Sequence, residues 1–249
     1  MYQEYETNLL GVDEFHKESN GRLRFWYEHI RQNPDIEGDI FEFGVYRGAS
    51  LIAAALILKE MKSNKKVYGF DSFDGFPTYS KYDDLDCFYT YKNKFFSEDF
   101  LKEYEEFLEI KRIQTGDTNF DAVSIATNGS FNQTSKELIQ QKIDYFELDN
   151  IILVEGDFKE TVPNFFENNK VNISSANIDC DLYDGYKITL PFIYKHLSVS
   201  GFVHLDEYYS FKYPGAKIAC EEFFNANNIT PIKNKVRTGE FERWYFTKT

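Results

Sequence analysis

The chain has 249 residues, 41 of them acidic and 28 basic, for a formal net charge of −13. That length suits one α/β domain with a full core. The acidic balance argues against nucleic acid and against an anionic membrane surface as the main partner, because both select basic faces. No apolar run approaches the roughly 20 residues that a membrane span needs. Met1 to Leu10 is polar and lacks the apolar centre of a signal peptide. The three cysteines, Cys87, Cys180 and Cys220, form no CxxC pattern, so neither a zinc knuckle nor a disulfide framework is expected. A reducing, cytoplasmic setting is.

Residues 1–38 precede the first strand. Apolar groups at Val12, Phe15, Leu23, Trp26, Tyr27 and Ile30 have helical spacing over Asp13 to Gln32, interrupted at Gly21 and ended by Asn33-Pro34. This helical segment is expected to cap the core, or else to form a contact between copies in a homo-oligomer. Next comes Asp39-Ile40-Phe41-Glu42-Phe43-Gly44-Val45-Tyr46-Arg47-Gly48-Ala49-Ser50, followed by the apolar Leu51 to Leu58. That pattern is a strand, a tight turn and a buried helix, the opening of a nucleotide-binding sheet. Gly44 and Gly48 lack the third glycine of a dinucleotide fingerprint. A Glu just before such a turn suits a ligand with a positively charged amino end. Val67 to Phe70 makes a second strand ending at Asp71, where a carboxylate is placed to accept ribose hydroxyls.

Residues 78–150 break the alternation and are expected to form an insertion, a lid over the site rather than a second domain. Helices are predicted at Glu98 to Ile110 and Ser135 to Phe146, with Asp117 to Thr134 as a loop. The alternation then resumes. Strands are expected at Asn150 to Glu155, Ser175 to Asp179 and Gly201 to Leu205, and helices at Glu160 to Asn168, Tyr186 to His196 and Ala216 to Asn225. The tail from Thr230 to Lys248 supplies an antiparallel strand pair around Thr238-Gly239. The expected fold class is therefore α/β, Rossmann-like, with a mostly parallel sheet, helices on both faces and an antiparallel C-terminal pair, in one domain spanning 1–249.

Acidic residues stand at four strand ends: Glu42, Asp71, Asp179 and Asp206-Glu207. In an open α/β sheet these ends face one crevice. Carboxylates packed together need cations or donors to offset their repulsion. A cationic ligand facing Glu42 and a magnesium ion among Asp179, Asp206 and Glu207 would supply them. His204 lies inside a strand and is expected in the core or behind the acids.

The segments Glu42 to Ser50, Asp71-Ser72-Phe73-Asp74-Gly75-Phe76-Pro77, Gly156-Asp157-Phe158-Lys159-Glu160-Thr161, Asp179-Cys180-Asp181-Leu182-Tyr183, Asp206-Glu207-Tyr208 and Pro214-Gly215-Ala216-Lys217 resemble, in order and number, the motifs of the macrocin O-methyltransferase (TylF/MycF-like) family. The resemblance covers about 39 to 77 and 151 to 225. It implies a class I methyltransferase sheet, S-adenosylmethionine as donor, a magnesium ion, and a sugar or nucleotide-linked sugar hydroxyl as acceptor. It also implies that Glu42, Phe43, Gly44, Tyr46, Gly48 and Ser50 hold the methionine end of the donor. Asp71, Ser72 and Phe73 would hold the ribose, and Gly156, Asp157 and Phe158 would border the adenine. Asp179, Asp206 and Glu207 would bind the metal, and Asp179 or Asp181 would take the acceptor's proton. Cys180 stands where the family has Gly, and Glu207 where it has Asp. The longer Glu207 either ligates with shifted geometry or loses the ion. Three rival functions remain open at this level: a metal-independent methyltransferase of another small molecule, a Rossmann-type nucleotide-sugar oxidoreductase, and a catalytically silent binding module. The missing third glycine counts against the oxidoreductase.

Overall fold

The computed structural model describes residues 9–13, 22–83, 94, 97–120, 131–208, 213–236 and 242–249. Seven strands form one sheet in the order β3-β2-β1-β4-β5-β7-β6. The strands are β1 Asp39–Phe43, β2 Val67–Asp71, β3 Ile151–Glu155, β4 Ile173–Ile178, β5 Leu197–Leu205, β6 Ile232–Lys233 and β7 Trp244–Thr247. β1 to β5 pair in parallel, and β7 runs antiparallel to both β5 and β6. The α/β class and the antiparallel ending are thus as the sequence predicts. Residues 237–241, the predicted turn between the last two strands, lie outside the described residues.

The helices are α1 Arg24–Gln32, α2 Ala49–Glu60, α3 Glu98–Thr115, α4 Lys136–Tyr145, α5 Phe158–Asn168, α6 Tyr183–His196 and α7 Pro214–Asn227. α2 is apolar all round, so it needs cover on every side; Ser50 to Leu58 are all buried. α1 lies against it in the same core layer and buries Trp26, Tyr27 and Ile30. The Trp26 indole N–H donates to Ser175 Oγ at 2.9 Å, which pins α1 to β4. The described helix begins at Arg24 rather than at Asp13, and residues 14–21 lie outside the described residues. On the other face, α5, α6 and α7 enclose an aromatic core that includes Phe41, Phe43, Phe70, Phe166 and Phe224.

Inside the insertion both predicted helices are present, α3 running five residues past its expected end. α3 buries Tyr104 and Leu108, four residues apart on one side. α4 starts at Ser135, whose side chain accepts from Leu138 N–H at 3.1 Å, the usual satisfaction of a free helix-end donor. Ile139 and Ile143 then anchor it to the α2 core.

Candidate functional site

The backbone just beyond each strand hydrogen-bonds to the end of the strand beside it. Gly44 N–H donates to Phe70 O, Gly156 N–H to Asp71 O, Asp179 N–H to Phe43 O and Asp206 N–H to Ile178 O, at 2.9, 2.9, 2.8 and 3.1 Å. This staircase brings four strand ends to one crevice. The crevice is a cavity of about 370 Å³, within the usual range for a small-molecule site.

The glycine turn is built from both sides. Gly44 has φ +96°, and a Cβ there would collide with the Asp179 carbonyl. The close backbone approach expected of this glycine is therefore made to the end of β4, and it holds the turn against the acidic strand end. Asp71 fixes the turn from the other side. Its Oδ2 accepts from Val45 N–H at 2.7 Å and Tyr46 N–H at 2.8 Å, and its Oδ1 from Phe73 N–H at 2.8 Å. Asp71 lines the cavity and also shapes it. Gly48, at φ +79°, starts α2 and faces Ile139, away from the cavity lining.

Gly44, Tyr46, Ser50, Asp71, Ser72, Gly156, Asp157 and Phe158 line the cavity. Phe43 and Phe73 do not. The Phe43 ring stacks on Phe70, 4.8 Å between centroids, because alternation along β1 turns it toward the α5–α7 face. The Phe73 side chain packs into the α2 core, leaving only its backbone beside Asp71.

Glu42 is wholly buried and lies outside the cavity lining. It sits in register with Asn177 of β4 and, one strand further, His204 of β5, a polar row beneath the site. Asn177 Nδ2 donates to Glu42 Oε1 at 2.8 Å, while Glu42 Oε2 is buried without a hydrogen bond. Burial pushes the Glu42 carboxyl up to about 8, as expected for an acid removed from water. His204 is wholly buried, which lowers its pKa, and neither ring nitrogen has a hydrogen bond; Nε2 lies 3.6 Å from Asp206 Oδ1.

Asp179, Asp206 and Glu207 converge, with one carboxylate oxygen from each lying within 4.8 Å of the others. A cation sits on two of them: Arg22, whose Nη2 donates to Asp179 Oδ2 at 2.5 Å and whose Nη1 lies 2.5 Å from Asp206 Oδ1. The second contact is an ion pair rather than an aligned hydrogen bond. Burial raises Asp179 to about 6 despite Arg22. Burial acts on Asp206 too, yet Arg22 and the His204 ring hold it below the usual carboxylate range.

Glu207 is driven well above the ordinary carboxyl range by burial and then by Asp206 and Asp179. Its surroundings agree. The Tyr186 hydroxyl lies 2.7 Å from Glu207 Oε2 and 2.8 Å from the Ile178 carbonyl, and accepts from Glu207 N–H. Tyr186 has one proton for two acceptors. If it donates to Ile178, a proton on Glu207 completes the set. Three carboxyl groups offering hard oxygen donors within 4.8 Å of one another are a donor set that fits a magnesium-like cation, which would favour their ionised forms.

Asp181 lines the same cavity, reaching it from a turn beyond the strand. β4 ends at Ile178, and Asp181 has φ +59°. Cys180 is accommodated opposite Gly185, where a Cβ would lie 2.6 Å from its Sγ. Aromatic residues form the outer wall: Phe131 packs edge-on to Tyr46 and to Phe76, at 5.1 and 5.2 Å. Thr134 Oγ1 donates to the Tyr46 carbonyl, docking the insertion on the glycine turn. No local sequence pattern points to Arg22 or Phe131. Asn177, a polar residue inside an apolar strand, was a readable one.

The solved structures similar to this chain include the O-methyltransferase NovP, with 21% identity, TM-score 0.62, and 89% of this chain and 78% of NovP covered. The calicheamicin methyltransferase CalS11 has 25% identity and TM-score 0.61, with 94% and 80% covered. An O-methyltransferase from Bacillus cereus in complex with SAH has 11% identity and TM-score 0.52, with 98% and 88% covered. No curated protein sequence matches. The sequence model of the Macrocin-O-methyltransferase (TylF) family matches residues 20–125 and 104–243. The chain belongs to the macrocin O-methyltransferase family, and is an S-adenosylmethionine-dependent O-methyltransferase.

Proposed function

We propose that this enzyme methylates a hydroxyl of a sugar or nucleotide-linked sugar, with a divalent cation held by Asp179, Asp206 and Glu207. The observation that carries the metal is the convergence of Asp179, Asp206 and Glu207 beside the donor turn, with one carboxylate oxygen from each within 4.8 Å of the others. The sugar rests on kinship: CalS11 is described as a TDP-rhamnose 3'-O-methyltransferase, and the family is that of macrocin O-methylation. A surface polysaccharide or a glycosylated metabolite made in the cytoplasm would be the product's destination.

The chain's own residues divide the work. The Gly44–Tyr46 turn, Ser50 and Asp71 bind the donor in the cavity, and Phe76, Phe131 and Tyr46 exclude water from its outer side. The acceptor oxygen is oriented toward the acidic trio, in line with the donor's methyl group. The methyl moves from sulfonium to oxygen, the thioether leaves, and the hydroxyl proton passes to the Asp181 carboxylate. A bound magnesium ion would supply Lewis acidity that lowers the hydroxyl's pKa. The test is a panel of free sugars, nucleotide-sugars and catechols incubated with methyl-labelled donor. Label on a sugar hydroxyl is expected. Label only on catechols, or on none of the panel, would refute the acceptor class.

A further inference from the structure

The acidic trio is not waiting empty-handed for an ion. The Arg22 guanidinium already spans Asp179 Oδ2 and Asp206 Oδ1, at 2.5 Å from each. Both acids are among the three whose ligand atoms cluster within 4.8 Å. A divalent ion drawn to these same oxygens would compete with the guanidinium for them. Two like charges packed there would also repel strongly, since little water screens them.

Arg22 stands two residues before α1. Leu23 beside it is 1% exposed, and α1 starts at Arg24 with Trp26 pinned to Ser175. The Arg22 side chain is different, 39% exposed. Its exposed part borders solvent. The arrangement therefore joins a partly exposed cation to a shared pair of anions.

We infer that Arg22 is a built-in competitor for the metal site: it neutralises Asp179 and Asp206 in the metal-free enzyme, and is expelled from them when a divalent cation binds. Arg22 also lines the cavity, so its release changes the charge presented to the acceptor at the moment the metal arrives. The inference rests on the metal-assisted function proposed above.

Two measurements on the full chain test it. The first is Mn²⁺ binding by electron paramagnetic resonance, comparing the wild type with Arg22→Gln; folding of the variant is checked by S-adenosylhomocysteine binding. Removal of the competitor should tighten Mn²⁺ by roughly tenfold or more. The second needs no variant. Phenylglyoxal labels free guanidinium groups faster than ion-paired ones, so adduct formation at Arg22, read by mass spectrometry, should accelerate when Mg²⁺ saturates the wild type. Equal or weaker Mn²⁺ affinity in Arg22→Gln, with Arg22 labelling unchanged by Mg²⁺, overturns the competition while leaving the metal site intact. Absence of Mn²⁺ binding in both proteins overturns the metal site and the competition together.

Discussion

Glu42 shows how one buried side chain ties the donor turn to stability. It sits in the second-last position of β1, wholly buried, with one oxygen on Asn177 and the other unpartnered. Burial raises its folded-state pKa to about 8, far above that of a Glu in an unfolded chain. The folded protein therefore binds a proton that the unfolded chain has lost, and its stability must fall as pH rises between the two values. Thermal melts of the metal-free, donor-free enzyme should show Tm falling from pH 5 to pH 8. Glu42→Gln, which keeps the shape and the Asn177 contact but carries no charge, should flatten that slope. An identical slope in the variant would mean that other groups set the pH dependence.

At the scale of elements, the insertion is held where it touches the framework of the sheet. Asp83 accepts from Ser80 N–H at 3.0 Å and Tyr183 N–H at 2.8 Å, joining the start of the insertion to the first turn of α6. Gly215, at the start of α7, leaves the room: a Cβ there would collide with Asp83 Oδ1 and lie 2.8 Å from Tyr183 Cβ. Gly215→Ala should cost about 1–3 kcal/mol by overpacking, measured by urea denaturation, and should speed proteolysis within residues 78–83. A variant as stable and resistant as the wild type would show that Asp83 moves aside freely. These contacts also explain what the sequence could and could not convey. Strands and framework helices were legible because their apolar periods are strong, as in the continuous apolar run of α2. Their ends were less so. Asp181 follows the end of β4 at a positive φ, a turn that no periodicity marks. Phe43 looked like a donor contact, but strand alternation sends it to the opposite face. Phe131 and Arg22 reach the site through tertiary packing alone, and no local pattern marks them.

Across the whole molecule, the sheet's staircase does two jobs. It sets the donor turn against Asp179 through Gly44, and it gathers acids from β4 and β5 at the next step. The polar row of Glu42, Asn177 and His204 lies beneath both. Donor binding and the acidic trio are thus parts of one wall, which is the physical basis for coupling them in one reaction. The net charge of −13 makes an arginine inside this acidic crevice all the more telling, since it offsets charge where the cluster would otherwise repel itself. The most direct test of metal-assisted transfer is the rate of methylation after exhaustive chelation, followed by restoration of Mg²⁺, for the wild type and for Asp206→Asn. The account predicts that chelation removes methyl transfer, that Mg²⁺ restores it in the wild type, and that Asp206→Asn stays inactive while still binding S-adenosylhomocysteine. Full activity in the chelated wild type, matched by Asp206→Asn, would contradict it.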